Sequence, residues 1–344
     1  MRIVNLKNPS YHYRQKTRNN QEKRQRGEPS WRRTQFVLEF KPASKTSPGS
    51  GCATSGKRST HGATTRCGPS TTSILSSCPT RPDHVWRAGR CSAHSASTHV
   101  RIGALVHGNT YRNPCLTAKM AATLDQICGG RLNLGLGAGW FELEHKSLGF
   151  DFKTVPQRLE ALDESCQIIK GMFSQEKTTL KGKHYNVVDA VCNPKPIQKN
   201  VPLMIGGHGE RVLLKIVAKY ADMWNMGNAD APEMKRLIGV IERHADTVGR
   251  DADQIEKTLA LAMSYNPPKQ REEMLTGLIS MMAQTTPEKA RDRIIIGNKQ
   301  ECIDKIDGFR KAGVTHFIFM QIWPMVAEDE VQAFAEEVIP AFRD

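Results

Sequence analysis

Past Val100 the chain switches six times from a short, continuously apolar run to a segment with helical spacing. The apolar runs are 100–106 (VRIGALV), 131–137 (RLNLGLG), 201–207 (VPLMIGG), 222–227 (DMWNMG), 257–263 (KTLALAM) and 315–322 (THFIFMQI). Strands that are apolar throughout, each followed by a helix, are parallel strands buried on both faces. The helical segments carry their own punctuation. Asn113-Pro114 opens a helix through about Ile127, and Gly129-Gly130 closes it. From Pro156, Leu159, Leu162, Cys166, Ile169 and Phe173 step by three and four and make one buried face. Further helices are expected over 210–221, from Pro232 to Val248, near 270–283 and 299–312, and over 328–342, with 178–198 a hairpin excursion. The architecture is a doubly wound sheet or a (β/α)8 barrel. Six strand–helix units are visible where a barrel needs eight, so two belong upstream of Val100.

That upstream region has the wrong composition. Of the 49 Lys and Arg, 18 fall in residues 1–100, against 4 of the 35 Asp and Glu, so the net charge of +14 resides there and the remainder is neutral. Between Ala43 and Thr98 the large apolar residues are Ile74, Leu75, Val85 and Trp86, too few to offset chain entropy by burial. Residues 1–99 are therefore expected to be disordered and basic, and 100–344 to form the folded domain. Three readings of 1–99 stand: a basic extension for acidic partners, an organelle transit peptide, and out-of-frame translation of the first two strand–helix units. The third also accounts for the missing strands. No apolar run approaches a membrane span, and no specific nucleic-acid partner is expected. Nine cysteines without CxxC spacing suit reduced thiols in a cytoplasmic protein.

Three segments carry candidate chemistry. In MIGGHGERVLL a strand runs through Gly206, Gly207, His208 and Gly209 into a helix. Glycines let backbone N–H groups converge, and the helix start adds the positive end of its dipole, which suits a phosphate, with Arg211 adding charge. A ligand-free turn is an equal alternative. LGLGAGWFELEH holds Gly135, Gly137 and Gly139, but a long loop follows to Pro156, so it reads as a glycine-rich loop against something flat, walled by Trp140, rather than a dinucleotide fingerprint. HGNTYRNP places His107, Asn109, Thr110 and Tyr111 at a strand's C-terminal end, where function sits in this architecture. Ordinary loop polarity explains each of them equally well. His145, His184, His244 and His316 show no metal-ligand spacing, and no metal is expected.

Together GNTYRNP…AKMAATLDQICGGRLNLGLGAGWFELEH…LGFDF, RLEALDESCQIIKGMF, NPKPIQKNVPLMIGGHGERVLLKIVAKYADMWN and AGVTHFIF resemble the luciferase-like monooxygenase superfamily. The match is strongest to its subgroup of oxidoreductases that use the deazaflavin coenzyme F420, and it spans about 100–344. The resemblance implies a (β/α)8 TIM barrel with the cofactor at the C-terminal ends of its strands. It implies that Leu105-Val106 forms a non-proline cis peptide behind the cofactor ring. It implies that Gly137, Ala138 and Gly139 line the ring or ribityl chain, and that Gly206, Gly207, His208 and Gly209 hold the phosphate. RIGALV would then be the third strand, with the first two βα units missing. Asp83-His84 lies too close to Gly103 to be the family's strand-2 pair, so the catalytic acid or base is unassigned.

The expected activity is hydride transfer between F420 and a small-molecule substrate. The alternatives are an FMN-dependent monooxygenase on the same scaffold, or an inactive product, since a barrel lacking two strands has open edges and an incomplete core. A homodimer is compatible with the family.

Overall fold

The computed structural model of the chain describes residues 35–38, 101–320 and 328–342. Its strands, in chain order, are β1 (Gln35–Leu38), β2 (Ile102–Gly103), β3 (His107–Gly108), β4 (Leu132–Gly137), β5 (Thr178–Lys181), β6 (Asn186–Ala190), β7 (Leu203–Gly206), β8 (Met223–Gly227), β9 (Glu256–Tyr265), β10 (Ile294–Gly297) and β11 (His316–Met320). The helices are α1 (Pro114–Ile127), α2 (Glu142–Ser147), α3 (Val155–Ser174), α4 (Leu213–Tyr220), α5 (Ala231–Thr247), α6 (Lys269–Ala283), α7 (Pro287–Arg291), α8 (Lys299–Lys311) and α9 (Glu328–Glu337). The main sheet runs β1-β11-β9-β8-β7-β4-β2, with β3 also on β4 and β10 also on β9. All its pairings are parallel. β5 and β6 form a separate antiparallel hairpin.

This order bears on the two expected architectures. A doubly wound sheet reverses its strand order at a switch point. Here β4, β7, β8, β9 and β11 follow one another across the sheet in chain order, and β1 sits beside β11. A first strand against the last is compatible with a barrel. Among the described residues no strand bridges β1 and β2.

Side-chain alternation separates two layers. Leu132, Leu134 and Leu136 of β4, Leu203 and Ile205 of β7, Trp224 and Met226 of β8, Leu259, Leu261 and Met263 of β9, and Phe317 and Phe319 of β11 join one core with helix residues such as Leu162, Leu214, Ile241 and Phe309. The intervening positions face inward, where Leu105, Val106, Met204, Met223, Ala260, Ile318 and Met320 pack together. Helix starts follow local chemistry. Asn298 accepts from the Gln300 and Glu301 amides while Glu301 returns to the Asn298 amide, the expected reciprocal cap. Asn113 and Asp230 cap α1 and α5, each ahead of a proline in the first turn.

The structure differs from the sequence reading in six places. Gln35–Leu38, within the segment expected to be disordered, is a strand that pairs with His316–Phe319. The rest of 1–99, with Val100, lies outside the described residues. The expected strand 100–106 is two short pieces, Ile102–Gly103 and His107–Gly108, with the cis Leu105–Val106 peptide between them. The loop expected after Gly139 contains α2. The helix expected from Glu210 starts at Leu213, after a turn. Ile294–Gly297 is a four-residue strand inside the segment expected to hold only helices between 270 and 312. The final helix ends at Glu337 and gives way to a 3-10 turn, Ile339–Phe342.

The inner face of β4 sets a stability test. A Cβ on Gly135 would meet the Ala104 carbonyl oxygen, which is backbone, and stand 2.9 Å from Val106 Cγ1. A Cβ on Gly277, in the middle of α6, would meet nothing within 4 Å. Gly135→Ala is expected to lower stability by roughly 1–3 kcal/mol, whereas Gly277→Ala should leave it equal or raise it by about 0.5–1 kcal/mol. Urea unfolding midpoints check both. Equal midpoints for the two variants would contradict the packing of β4.

Candidate functional site

The C-terminal ends of the central strands are made of very small residues. The registers pair Gly108 with Gly137, Gly206 with Asn225, and Gly227 with Ala260. Because their neighbours in sequence enter the outer core, Gly137, Gly206, Asn225, Gly227 and Ala260 face inward, while Ala262 on the same side of β9 is covered by Leu275 and Ile279 of α6. A Cβ on Gly227 would have only the Ala260 carbonyl oxygen nearby, at 3.9 Å, so the mouth is open there. Val106 fills the space beside it. Its Cγ2 would stand 2.9 Å from a Cβ on either Gly137 or Gly206, and its Cγ1 2.9 Å from one on Gly135. Three glycines on two strands thus form a socket for one valine. The result is a strip of small residues ending at the cis Leu105–Val106 peptide, beside the inward cluster of Leu105, Met204, Met223 and Met320.

The Gly206–Gly209 loop leaves β7 at the same end. Gly207 is held from both sides by β8. Its N–H donates to the Asn225 carbonyl at 3.0 Å, and its carbonyl accepts from the buried Trp224 indole Nε1–H at 2.7 Å. Its φ of +127° is a glycine conformation, and a Cβ would lie 2.8 Å from Leu213 Cδ2. The Gly207 N–H, expected to face a ligand, is therefore already used. His208, Gly209, Glu210 and Arg211 are exposed. The Leu214 amide donates to the Gly209 carbonyl and starts α4.

The polar loop after β3 is hydrogen-bonded to its neighbours. His145, on α2, is fully buried. Its Nδ1 lies 2.7 Å from the Phe141 carbonyl, which can only accept, so Nδ1 carries the proton and Nε2 accepts from the Thr110 hydroxyl at 2.7 Å. The Tyr111 hydroxyl donates to Glu144, and burial together with that carboxylate raises its pKa. Asn109 donates to the Tyr185 hydroxyl at 3.4 Å. These bonds tie the β3 loop to α2 and shape the strip between them. A Cβ on Gly139 would lie 2.7 Å from Thr110 Oγ1. Ala138 is half-buried there, and Trp140 stands beside it, 51% exposed against Phe141.

His107 is in register with Leu136, which places it on the outer side of β4. Burial, and then the charge of Arg112, lowers its pKa to about 4. The other histidines lie elsewhere. His184 pairs with Glu160 at 2.9 Å, the His244 Nε2 lies 2.8 Å from the Glu210 carbonyl, and His316 lies 3.3 Å from Glu256 at the opposite, N-terminal strand ends.

Leu105, Val106, Gly137, Ala138, Gly139 and Gly206 to Gly209 thus gather at one end of the sheet. Three residues there went unread in the sequence. Asn225 donates to Thr258 Oγ1 at 2.8 Å inside the sheet. Trp224 holds the glycine loop from outside. Ser264 donates to Glu330, which is paired with Arg271. Period-two alternation marks Asn225 and Ser264 as inward polar positions, whereas Trp224 looks like any core aromatic. Cys128, Cys166, Cys192 and Cys302 are buried free thiols, and burial followed by Glu301 pushes Cys302 up to about 12. Among the described residues there is no cluster of three metal-ligating side chains, and no helix long and apolar enough to cross a membrane.

Residues 91–281 match the family model described as luciferase-like monooxygenase. An F420-dependent glucose-6-phosphate dehydrogenase of Microbacterium testaceum is 26% identical over 269 residues, covering 71% of this chain and 79% of that protein. An FMNH2-dependent dimethylsulfone monooxygenase of Pseudomonas putida is 29% identical over 121 residues, covering 35% of this chain and 33% of that protein. Among solved structures, an F420-dependent secondary alcohol dehydrogenase in complex with an F420-acetone adduct superposes with a TM-score of 0.66 at 23% identity. It covers 75% of this chain and 84% of its own.

The depressed His107 pKa has a measurable consequence. The folded protein keeps this ring neutral down to about pH 4, while the unfolded chain protonates it near 6.5. Between those values the unfolded state binds the extra proton, so stability falls as pH drops through the window. His107→Gln is expected to lose less stability than the parent between pH 7 and pH 4.5, measured by urea midpoints. Equal losses would show that His107 is not held neutral by the fold.

Proposed function

The chain belongs to the luciferase-like monooxygenase family, and from that premise we propose that it is an oxidoreductase moving a hydride between coenzyme F420 and a small organic substrate. One observation carries the reading: the glycine- and alanine-lined inner face beside Val106, continuous with the Gly206–Gly209 loop. The dehydrogenase relatives named for F420 favour that cofactor. When bound, F420 supplies or accepts the hydride, which is the hard chemistry.

The chain's own residues do the rest. Leu105 and Val106 back the ring, and Gly137, Ala138 and Gly139 let it lie close to backbone. The loop after Gly206 meets the phosphate, with its first free donor at His208 rather than Gly207. Trp140, half exposed at the rim, offers the substrate an aromatic wall and helps exclude water. His145, bonded through both ring nitrogens, holds the Thr110 loop against α2. We assign this activity to the 100–344 domain, acting in the cytoplasm on a small molecule without a nucleic-acid partner.

A second reading, an FMN-dependent monooxygenase, has support from the Pseudomonas putida relative and needs the same flat slot and phosphate loop. Titrating the full chain with each cofactor separates the two. The F420 reading expects binding of F420 and no retained yellow FMN. Tight FMN with no F420 binding would overturn it in favour of the monooxygenase.

The loop has its own test. Gly207→Val forces a β-branched side chain into a positive φ and onto Leu213. It is expected to weaken F420 binding by roughly 1–3 kcal/mol, read as a shift in titration midpoint. Unchanged affinity would remove the loop from the site.

A further inference from the structure

We propose that Trp224 is a positioning residue: by fixing the Gly207 carbonyl, it aims the His208 N–H into the strand-end mouth to meet an anionic oxygen of the cofactor. The inference rests on the F420 reading above.

The argument is geometric. Trp224 lies on the outer side of β8, fully buried in the core shared with the helices. Its indole Nε1–H donates to the Gly207 carbonyl at 2.7 Å. The next residue on the same strand, Asn225, accepts the Gly207 N–H at 3.0 Å. Two consecutive residues of β8 therefore grip both amide groups of Gly207. The Gly207–His208 peptide is not among the cis bonds of the chain. In a trans peptide the carbonyl and the following N–H point in opposite directions. With the carbonyl drawn outward to the indole, the His208 N–H is turned away from the helix layer, toward the inner side of the sheet. The glycine at 207 makes this orientation accessible, since its φ of +127° is one that side chains rarely adopt. The indole bond holds the peptide in that orientation. A phenylalanine at position 224 would keep most of the buried ring but release the carbonyl, freeing the peptide plane to rotate.

This role differs from simple packing in which part of the cofactor it affects. The test compares affinities for F420 and for its deazaflavin core cut off before the phosphate, using the full chain and W224F. The parent is expected to bind F420 at least ~10-fold more tightly than the core, the equivalent of about one good hydrogen-bond site. W224F should reduce that ratio several-fold while its affinity for the core stays within about 2-fold. A ratio unchanged in W224F overturns the proposal and leaves the phosphate assignment standing. Equal loss of both affinities also overturns it, because Trp224 would then act only through packing. A parent ratio near one overturns the proposal together with the phosphate assignment on which it rests.

A second measurement needs no change at position 224. The chain has 5 tryptophans, and the Trp224 indole N–H signal can be assigned by single Trp→Phe replacements at the other positions. In the parent protein that signal should be protected from solvent exchange. It should shift on adding F420 and stay in place with the phosphate-free core. A signal that ignores F420 overturns the proposal even if W224F does not fold.

Discussion

Val106 seated on Gly135, Gly137 and Gly206 is the contact on which the rest of the candidate site depends. It exists because β4 alternates leucine with a smaller residue. Leu132, Leu134 and Leu136 bury outward against the helices, leaving Asn133, Gly135 and Gly137 inward. A larger inward residue at 135 or 137 would displace Val106 and with it the cis Leu105–Val106 peptide. The outer leucines supply most of the apolar burial, at about 25 cal/mol per Å2. The inner glycines supply none of it and instead leave the room that Val106 fills.

The same division of labour recurs at β8. Trp224 and Met226 anchor the outer core, while Asn225 and Gly227 face inward. Asn225 has two jobs there: its backbone carbonyl holds the Gly207 amide and its side chain donates to Thr258. The glycine loop is thereby fixed from the rigid strand beside it, not by contacts of its own. Each buried hydrogen bond of this kind contributes only about 1 kcal/mol, but an amide left unpaired costs more. The helix-side loops are tied in the same manner, through Thr110, Tyr111, Glu144 and His145. Polar groups that look like chemistry in the sequence thus serve as struts around a surface built from glycine.

Most of the fold from Ile102 onward was legible, because parallel strands buried on both faces leave continuous apolar runs and their helices keep a 3.6-residue period. The first strand was not. Gln35–Leu38 is four residues long and stands in basic, polar surroundings, so only its pairing with β11 reveals it. Ile294–Gly297 was missed for a different reason: it is only four residues long and pairs with the far end of the long β9. Within the site, the glycine motifs stood out because glycine is conspicuous in an apolar run. Trp224 did not, because a tryptophan in a core strand carries no sign of what its indole N–H reaches. The surroundings of His107 and Tyr111 were not legible, since sequence cannot show that one faces the outer side of the sheet and the other is bonded to Glu144.

The central claim is that the glycine-lined mouth, and not another surface, seats the cofactor. A crystal structure of the full chain with F420 tests it most directly. The deazaflavin should lie against Val106 over Gly137 and Gly206, with Val106 still in its glycine socket. A phosphate oxygen should sit within roughly 2.7–3.2 Å of the His208 amide nitrogen. Cofactor bound away from these strand ends, or Val106 driven out of its socket to admit the ring, would contradict the account.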